Sequence, residues 1–127
     1  MDLSDKVNMV DISSKDIIYR EATAIGRIKL RKETIEKIER SEIEKGNVFA
    51  VAKTAAILAV KKTPEIIALC HPIPISSVKI DIQLIEDGVE VKVTVRAMSK
   101  TGVEMEALSG VAIALLNIWA VSYTHLT

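Results

Sequence analysis

The chain has 127 residues, about the length of one ordinary domain, with 17 basic and 17 acidic side chains and a formal net charge of zero. A neutral balance argues against a general nucleic-acid-binding surface, which needs excess positive charge. The single cysteine excludes an internal disulfide and a multi-cysteine zinc site. No signal-peptide-like stretch opens the chain, so we expect a cytoplasmic protein with a core of Ile, Val, Leu and Ala.

The first half of the chain predicts a strand and a short helix. Apart from Met-Val-Asp-Ile at 9–12, residues 1–16 are polar, and we expect them to be mobile. Residues 17–30 predict an extended strand in which Gly26 marks a bulge or a close approach of another element. Isoleucines spaced among charged residues then predict an amphipathic helix over residues 33–43.

A second, more apolar helix follows a Lys-Gly-Asn break. Asn47 is a suitable N-cap for an Ala-rich helix over residues 48–62. Because this helix is apolar on most of its faces, we expect it to be largely buried. A Thr-Pro pair ends it, and residues 65–69 add one more turn.

The second half predicts a β-hairpin and a long helix. Residues 78–84 and 89–95 alternate apolar with polar side chains around an Asp-Gly pair, which predicts a hairpin with one buried face. Residues 103–121 predict an apolar helix, and its internal Glu and Asn residues favour a buried or interface helix over a membrane span. Strands grouped around helices without a βαβ repeat predict one α+β domain over residues 1–127, with an antiparallel sheet covered by helices.

Two glutamates stand at the start of the long helix. The helix dipole favours a carboxylate there by roughly 0.3–1 kcal/mol, but a charge beside an apolar run also indicates a partner or a function. Glu104 and Glu106 project about 200° apart at 3.6 residues per turn. They therefore cannot share one helix face as a carboxylate pair.

Two lysines have both structural and functional interpretations. Lys45 precedes a helix start. It is either a solvated loop residue or a functional one, which binds a phosphate or acts as a general acid or base. Lys100 and the backbone amides at the start of the long helix are suited to hold an anion. The surrounding Ser-Lys-Thr-Gly lacks the upstream glycine of a Walker A motif, so we reject a phosphate-binding P-loop.

A Leu-Cys-His-Pro-Ile-Pro segment precedes the hairpin. His71 is either a solvated loop histidine or a proton-transfer group held rigidly by the neighbouring prolines. Cys70 points away from His71 if the segment is extended. An inert thiol is therefore the better interpretation than a nucleophile.

Five segments in this order resemble the MoaC family, the cyclic pyranopterin monophosphate synthases of molybdenum cofactor biosynthesis. They are Met-Val-Asp-Ile-Ser at 9–13, Arg-Glu-Ala at 20–22, Lys-Gly-Asn-Val-Phe-Ala at 45–50, Leu-Cys-His-Pro-Ile-Pro at 69–74 and Lys-Thr-Gly-Val-Glu-Met-Glu-Ala-Leu at 100–108. The resemblance implies a ferredoxin-like fold and a homohexamer, built as a trimer of dimers with active sites at the dimer interfaces. It also implies that a cyclic dihydroguanosine triphosphate is converted to cyclic pyranopterin monophosphate with release of pyrophosphate.

The resemblance also carries site residues onto this sequence. We predict three catalytic residues, namely Lys45, His71 and Glu104. We predict that the substrate-binding residues are Arg20, Leu69, Cys70, His71, Lys100, Met105 and Glu106. No metal-ligand cluster is visible in the sequence, and no cofactor, nucleic-acid partner or membrane partner is predicted.

The chain departs from the family pattern near its C-terminal end. The resemblance places a catalytic aspartate and lysine where Ala120 and Tyr123 stand, and residues 121–127 resemble a translated adapter peptide. We therefore expect a truncated gene model with a foreign ending, in which His125 has no functional role. The alternatives are a catalytically impaired oligomeric family member and, more weakly, a generic ferredoxin-like ligand-binding module.

Overall fold

The computed structural model describes residues 6–123, which form one antiparallel sheet with helices packed on one face. The predictions for residues 1–5 and 124–127, including His125, lie outside the described residues. The elements are β1 (Ile18–Lys29), α1 (Lys32–Glu39), α2 (Val48–Lys61), α3 (Thr63–Ile66), β2 (Ile75–Ile85), β3 (Gly88–Ser99) and α4 (Glu104–Ser122). The strand order is β1-β3-β2. The predicted α+β class is confirmed, and the arrangement is consistent with a ferredoxin-like fold.

The central strand β3 supplies the middle of the core. Its alternate valines at 89, 91, 93 and 95 are each 0% exposed, and the register places Ile80 of β2 and Ala24 of β1 opposite Val93. The predicted hairpin with one buried face is therefore confirmed. Its two-residue turn is Glu86–Asp87, because Ile85 pairs directly with Gly88. The turn thus begins one residue earlier than the Asp-Gly pair suggested.

Strand β1 comes unusually close to α4 at Gly26. A Cβ atom at this position would lie 2.5 Å from Cγ1 of Val111 and 3.0 Å from Cδ1 of Leu115. The pairing of β1 with β3 is continuous through Gly26. Of the two predicted explanations for this glycine, the close approach is therefore correct, and no bulge is present here.

Helices α1 and α2 differ from the prediction in extent and burial. α1 ends at Glu39, short of the predicted residue 43, because Ser41 has a left-handed φ of 56° that no helix can continue through. Asn47 caps α2 as predicted, accepting a hydrogen bond from the Ala50 N–H at 3.0 Å. However, α2 is only half-buried: Leu58 is 51% exposed, because a single face of the helix packs against α4 and the sheet.

Helix α4 lies across β1 and β3 and beside α2. Its length and composition would suffice for a membrane span, a property that the core helices of soluble proteins share. The inner face contacts the sheet and is buried, whereas the outer face is exposed. The predicted interpretation as a buried or interface helix agrees with this packing.

The segment before β1 lies on the surface. Among residues 6–16 only Ile12 is half-buried, and the others are exposed. The expected mobility of this segment stays a prediction.

Candidate active site

Two segments that are distant in sequence meet at the start of α4. The Sγ atom of Cys70 lies 3.6 Å from Oε2 of Glu106 and 3.7 Å from the carbonyl oxygen of His71. The segment that joins α3 to β2 therefore contacts the first turn of α4. Both of the segments that carry the strongest sequence signals thus contribute to one cluster.

Glu106 is the most unusual side chain of this cluster. It is 1% exposed, and its Oε1 atom has no hydrogen-bond partner among residues 6–123. Burial raises the pKa of Glu106, and the charge of Glu104 acts in the same direction. Hydrogen bonds from its own backbone N–H and from the Cys70 thiol oppose the increase. An unpaired buried oxygen costs free energy, so Glu106 offers an acceptor that a bound ligand would satisfy.

Glu104 lies on the other side of the same helix turn and is exposed. A Cβ atom at Gly102 would collide with its carboxylate oxygens. Gly102 therefore leaves the space in which the Glu104 carboxylate sits. The two glutamates have different surroundings, in agreement with the prediction that they cannot pair on one helix face.

Cationic groups flank the cluster at the end of β3. Arg20, on β1, donates from Nη2 to the carbonyl oxygen of Lys100 at 3.3 Å and from Nε to that of Ser99 at 3.5 Å. Both Arg20 and Lys100 are half-buried. Arg20 therefore holds the backbone that leads into α4, and it leaves its remaining N–H groups for an anion.

Asp11 also belongs to this region, although sequence reasoning gave it no role. The backbone N–H of Ser13 donates to its Oδ1 at 2.9 Å, and this contact holds the pKa of Asp11 below its ordinary value. The nearby charges of His71 and Lys100 act in the same direction. The Asp-x-Ser spacing is typical of an Asx turn and was the signal available in the sequence.

The remaining predicted contact residues lie at the rim. Leu69 is 51% exposed and Met105 is 42% exposed. Cys70 is only half-buried, but burial and the adjacent Glu106 raise the pKa of its thiol to about 11. A thiol that keeps its proton is a poor nucleophile, which agrees with the predicted inert cysteine.

Lys45 lies apart from all of these residues. Its Nζ atom donates to the carbonyl oxygen of Ala120 at 2.7 Å, at the opposite end of α4. Ala120 is 16 residues beyond Glu104 on this helix, a distance of about 24 Å at 1.5 Å per residue. Within one chain, Lys45 and His71 therefore do not meet.

A small cavity lies beside Lys45. It measures about 190 Å³ and is lined by the loop before α2 and by Val121, Ser122 and Tyr123 at the end of α4. A larger cavity of about 500 Å³ lies between α1, α2 and β2; Gly46, next to Lys45, lines it, but none of the predicted site residues does. Within residues 6–123, no group of three His, Cys, Asp or Glu side chains is placed to hold a metal ion.

Fold and site together define a small α+β protein with proton-transfer groups and cations at both ends of one apolar helix. Comparison with known proteins gives the family. Residues 9–123 match the MoaC family, and the chain belongs to that family. It is 60% identical over 114 residues to a probable cyclic pyranopterin monophosphate synthase of Sulfurisphaera tokodaii, covering 90% of this chain and 76% of that protein.

Two further relatives carry the same description. The protein of Methanococcoides burtonii is 56% identical over 115 residues, which cover 91% of this chain and 72% of the relative. That of Pyrococcus abyssi is 59% identical over 113 residues, which cover 89% and 71% respectively. The resemblance drawn from the sequence segments is therefore confirmed at the level of the family.

Proposed function

We propose that this chain is a cyclic pyranopterin monophosphate synthase, a lyase of molybdenum cofactor biosynthesis. It would convert a cyclic dihydroguanosine triphosphate into cyclic pyranopterin monophosphate and release pyrophosphate in the cytoplasm. The observation that carries the proposal is the 60% identity to a relative of that description over 90% of the chain. The comparisons favour this function over a non-catalytic family member.

The geometry at the start of α4 supports an acid–base role. Histidine is the side chain best suited to proton transfer in proteins, and His71 directly follows Cys70, whose thiol contacts the buried Glu106. Rebuilding a ring needs proton transfers of the kind that such groups perform. Lys100 and Arg20 lie on the same side and would stabilise the negative charge that develops as pyrophosphate leaves.

The separation of Lys45 from His71 supports a site shared between two subunits. About 24 Å of helix lies between the two groups within one chain, too far for one small ligand to contact both. We infer that Lys45 of one subunit completes the cluster of Cys70, His71 and Glu106 of another. A two-fold interface would then build two such sites at once.

The outer face of α4 supports assembly through this helix. Its exposed apolar side chains recur at helical spacing and form one stripe, made of Met105, Leu108, Ala112, Leu116, Trp119 and Tyr123. A stripe of this size is unusual on a monomer surface. A hexamer built from dimers, the assembly that the resemblance implies, would cover it, and light scattering at micromolar concentration tests this arrangement.

The reaction is tested directly with the purified protein and enzymatically prepared cyclic dihydroguanosine triphosphate. We expect cyclic pyranopterin monophosphate and pyrophosphate in equal amounts, measured by chromatography after oxidation to a fluorescent pterin. The double variant Ala120→Asp/Tyr123→Lys serves as a faster form, and His71→Ala in that background serves as the negative control. Absence of product from both the unmodified protein and the Ala120→Asp/Tyr123→Lys variant would refute the proposal.

The shared site is tested by mixing two inactive variants. Lys45→Ala and His71→Ala subunits each lack one half of the site. If the halves come from different subunits, random co-assembly leaves about a quarter of the sites intact, because an intact site needs the unmodified half from each partner. Activity that stays at the level of the separate variants after co-expression would show that one chain supplies both groups.

A further inference from the structure

The Cys70 thiol can donate its proton to one of two acceptors. A thiol has one proton, and the Cys70 Sγ atom has two acceptors within reach: Oε2 of Glu106 at 3.6 Å and the His71 carbonyl oxygen at 3.7 Å. A carboxylate is the stronger acceptor. The thiol therefore donates its hydrogen bond to Oε2 of Glu106.

This hydrogen bond fixes one carboxylate oxygen of Glu106 and leaves the other available. Oε1 has no partner among the described residues although the side chain is 1% exposed. An unpaired buried oxygen beside an occupied one is the arrangement that a ligand donor completes. We propose that Cys70 is a positioning residue, which holds Glu106 so that Oε1 faces an N–H donor of the bound ligand.

The backbone conformation just before Cys70 also indicates that this contact is held in place by the surrounding structure. Leu69 has a φ of 72°, in the left-handed region that residues other than glycine rarely adopt. Such a conformation persists only where the surrounding structure holds it, and it is frequent at ligand sites. Here it reverses the chain direction after α3 and presents Cys70 to the first turn of α4.

A first test of this proposal needs no substrate. The chain contains one cysteine, so alkylation of the whole protein by iodoacetamide, followed by mass spectrometry, reports Cys70 alone. Alkylation rates between about pH 7 and pH 11 follow the thiolate fraction. In the unmodified protein they should still be rising at the top of this range, because the midpoint of the titration, the pKa of the thiol, is raised to about 11. Glu106→Gln should lower that midpoint, because the neighbouring charge is gone, and each unit of decrease raises the rate at neutral pH about tenfold.

The matched control is Glu104→Gln, which removes an exposed carboxylate from the same helix turn. It should leave the alkylation midpoint unchanged, because Glu104 does not contact the thiol. A general loosening of the structure by Glu106→Gln would also lower the midpoint, because burial is the larger cause of the raised pKa of the thiol. A lower midpoint therefore supports the hydrogen bond when urea unfolding shows the variant to be at least as stable as the unmodified protein, and a lower midpoint with a loss of stability counts against it. A midpoint that is the same in all three proteins would overturn the proposed hydrogen bond.

A second test rests on the proposed function and uses the synthase reaction in the Ala120→Asp/Tyr123→Lys form. Cys70→Ser keeps a hydrogen-bond donor and should leave KM within about threefold, whereas Cys70→Ala should raise KM roughly 3- to 10-fold with a smaller change in kcat. Equal KM values for the two variants would overturn the positioning role. If the reaction itself is absent, the alkylation profile still decides whether Cys70 holds Glu106.

Discussion

Replacing Glu106 by Gln should stabilise the folded protein near neutral pH but not in acid. The side chain is 1% exposed and one of its oxygens has no described partner. Burial raises its pKa above the ordinary value of 4.5, so the folded protein resists an ionisation that the unfolded chain undergoes freely. The free-energy cost of the carboxylate is therefore absent below about pH 4, and it grows as the pH rises from the unfolded pKa toward the folded one.

The size of the effect follows from the cost of an unpaired buried group. A neutral polar group without a partner costs about 1–3 kcal/mol, and a charged one costs more. Gln keeps polar atoms at both carboxylate positions and removes the charge, although it replaces one acceptor oxygen by an NH2 donor. We expect a gain of about 1 kcal/mol or more in the free energy of unfolding near pH 8, which corresponds to a rise in Tm of roughly 3–5 °C.

Urea unfolding at about pH 4 and pH 8 measures this difference. Glu104→Gln is the control, because an exposed carboxylate on the same turn should change stability by no more than about 0.5 kcal/mol at either pH. The reasoning fails if Glu106→Gln is less stable than the unmodified protein at pH 8. It also fails if the gain is the same at both pH values.

Three further predictions concern packing and catalysis. Gly26→Ala should lower the free energy of unfolding by about 1–3 kcal/mol in urea titrations, because the new Cβ overlaps the facing side chains of α4. Lys45→Ala and His71→Ala should each abolish product formation while leaving the circular dichroism melting temperature within a few degrees, since both residues lie in loops. The double change Ala120→Asp/Tyr123→Lys should raise turnover by about 10²–10⁴, because it restores acid–base groups to positions that now hold an alanine and a tyrosine. Equal rates before and after that change would contradict the roles carried over from the family.

Much of the fold could be predicted because its signals are local. The valines of β3 alternate without interruption, so the hairpin and its buried face follow from period-two patterning alone. The end of α1 could not be predicted in this way. It depends on the left-handed backbone of Ser41, for which a serine gives little signal.

The residues of the candidate site could be predicted from the sequence, but the contacts between them could not. The contact of Cys70 with Glu106 joins two segments that were each conspicuous in the sequence, but their proximity depends on how α3 returns the chain toward α4. The distance of Lys45 from His71 is also a tertiary property. The resemblance assigns both residues to the catalytic set, whereas the length of α4 places them near opposite ends of that helix within one chain.

Lys45 is held by a main-chain atom, the carbonyl oxygen of Ala120. Any side chain at position 120 leaves that carbonyl in place, and the negative end of the helix dipole favours an ammonium there. The position of the Lys45 ammonium therefore does not depend on which side chain occupies position 120. An exchange at position 120 can therefore alter the chemistry beside Lys45 without displacing it, so activity differences between such variants report the new side chain itself.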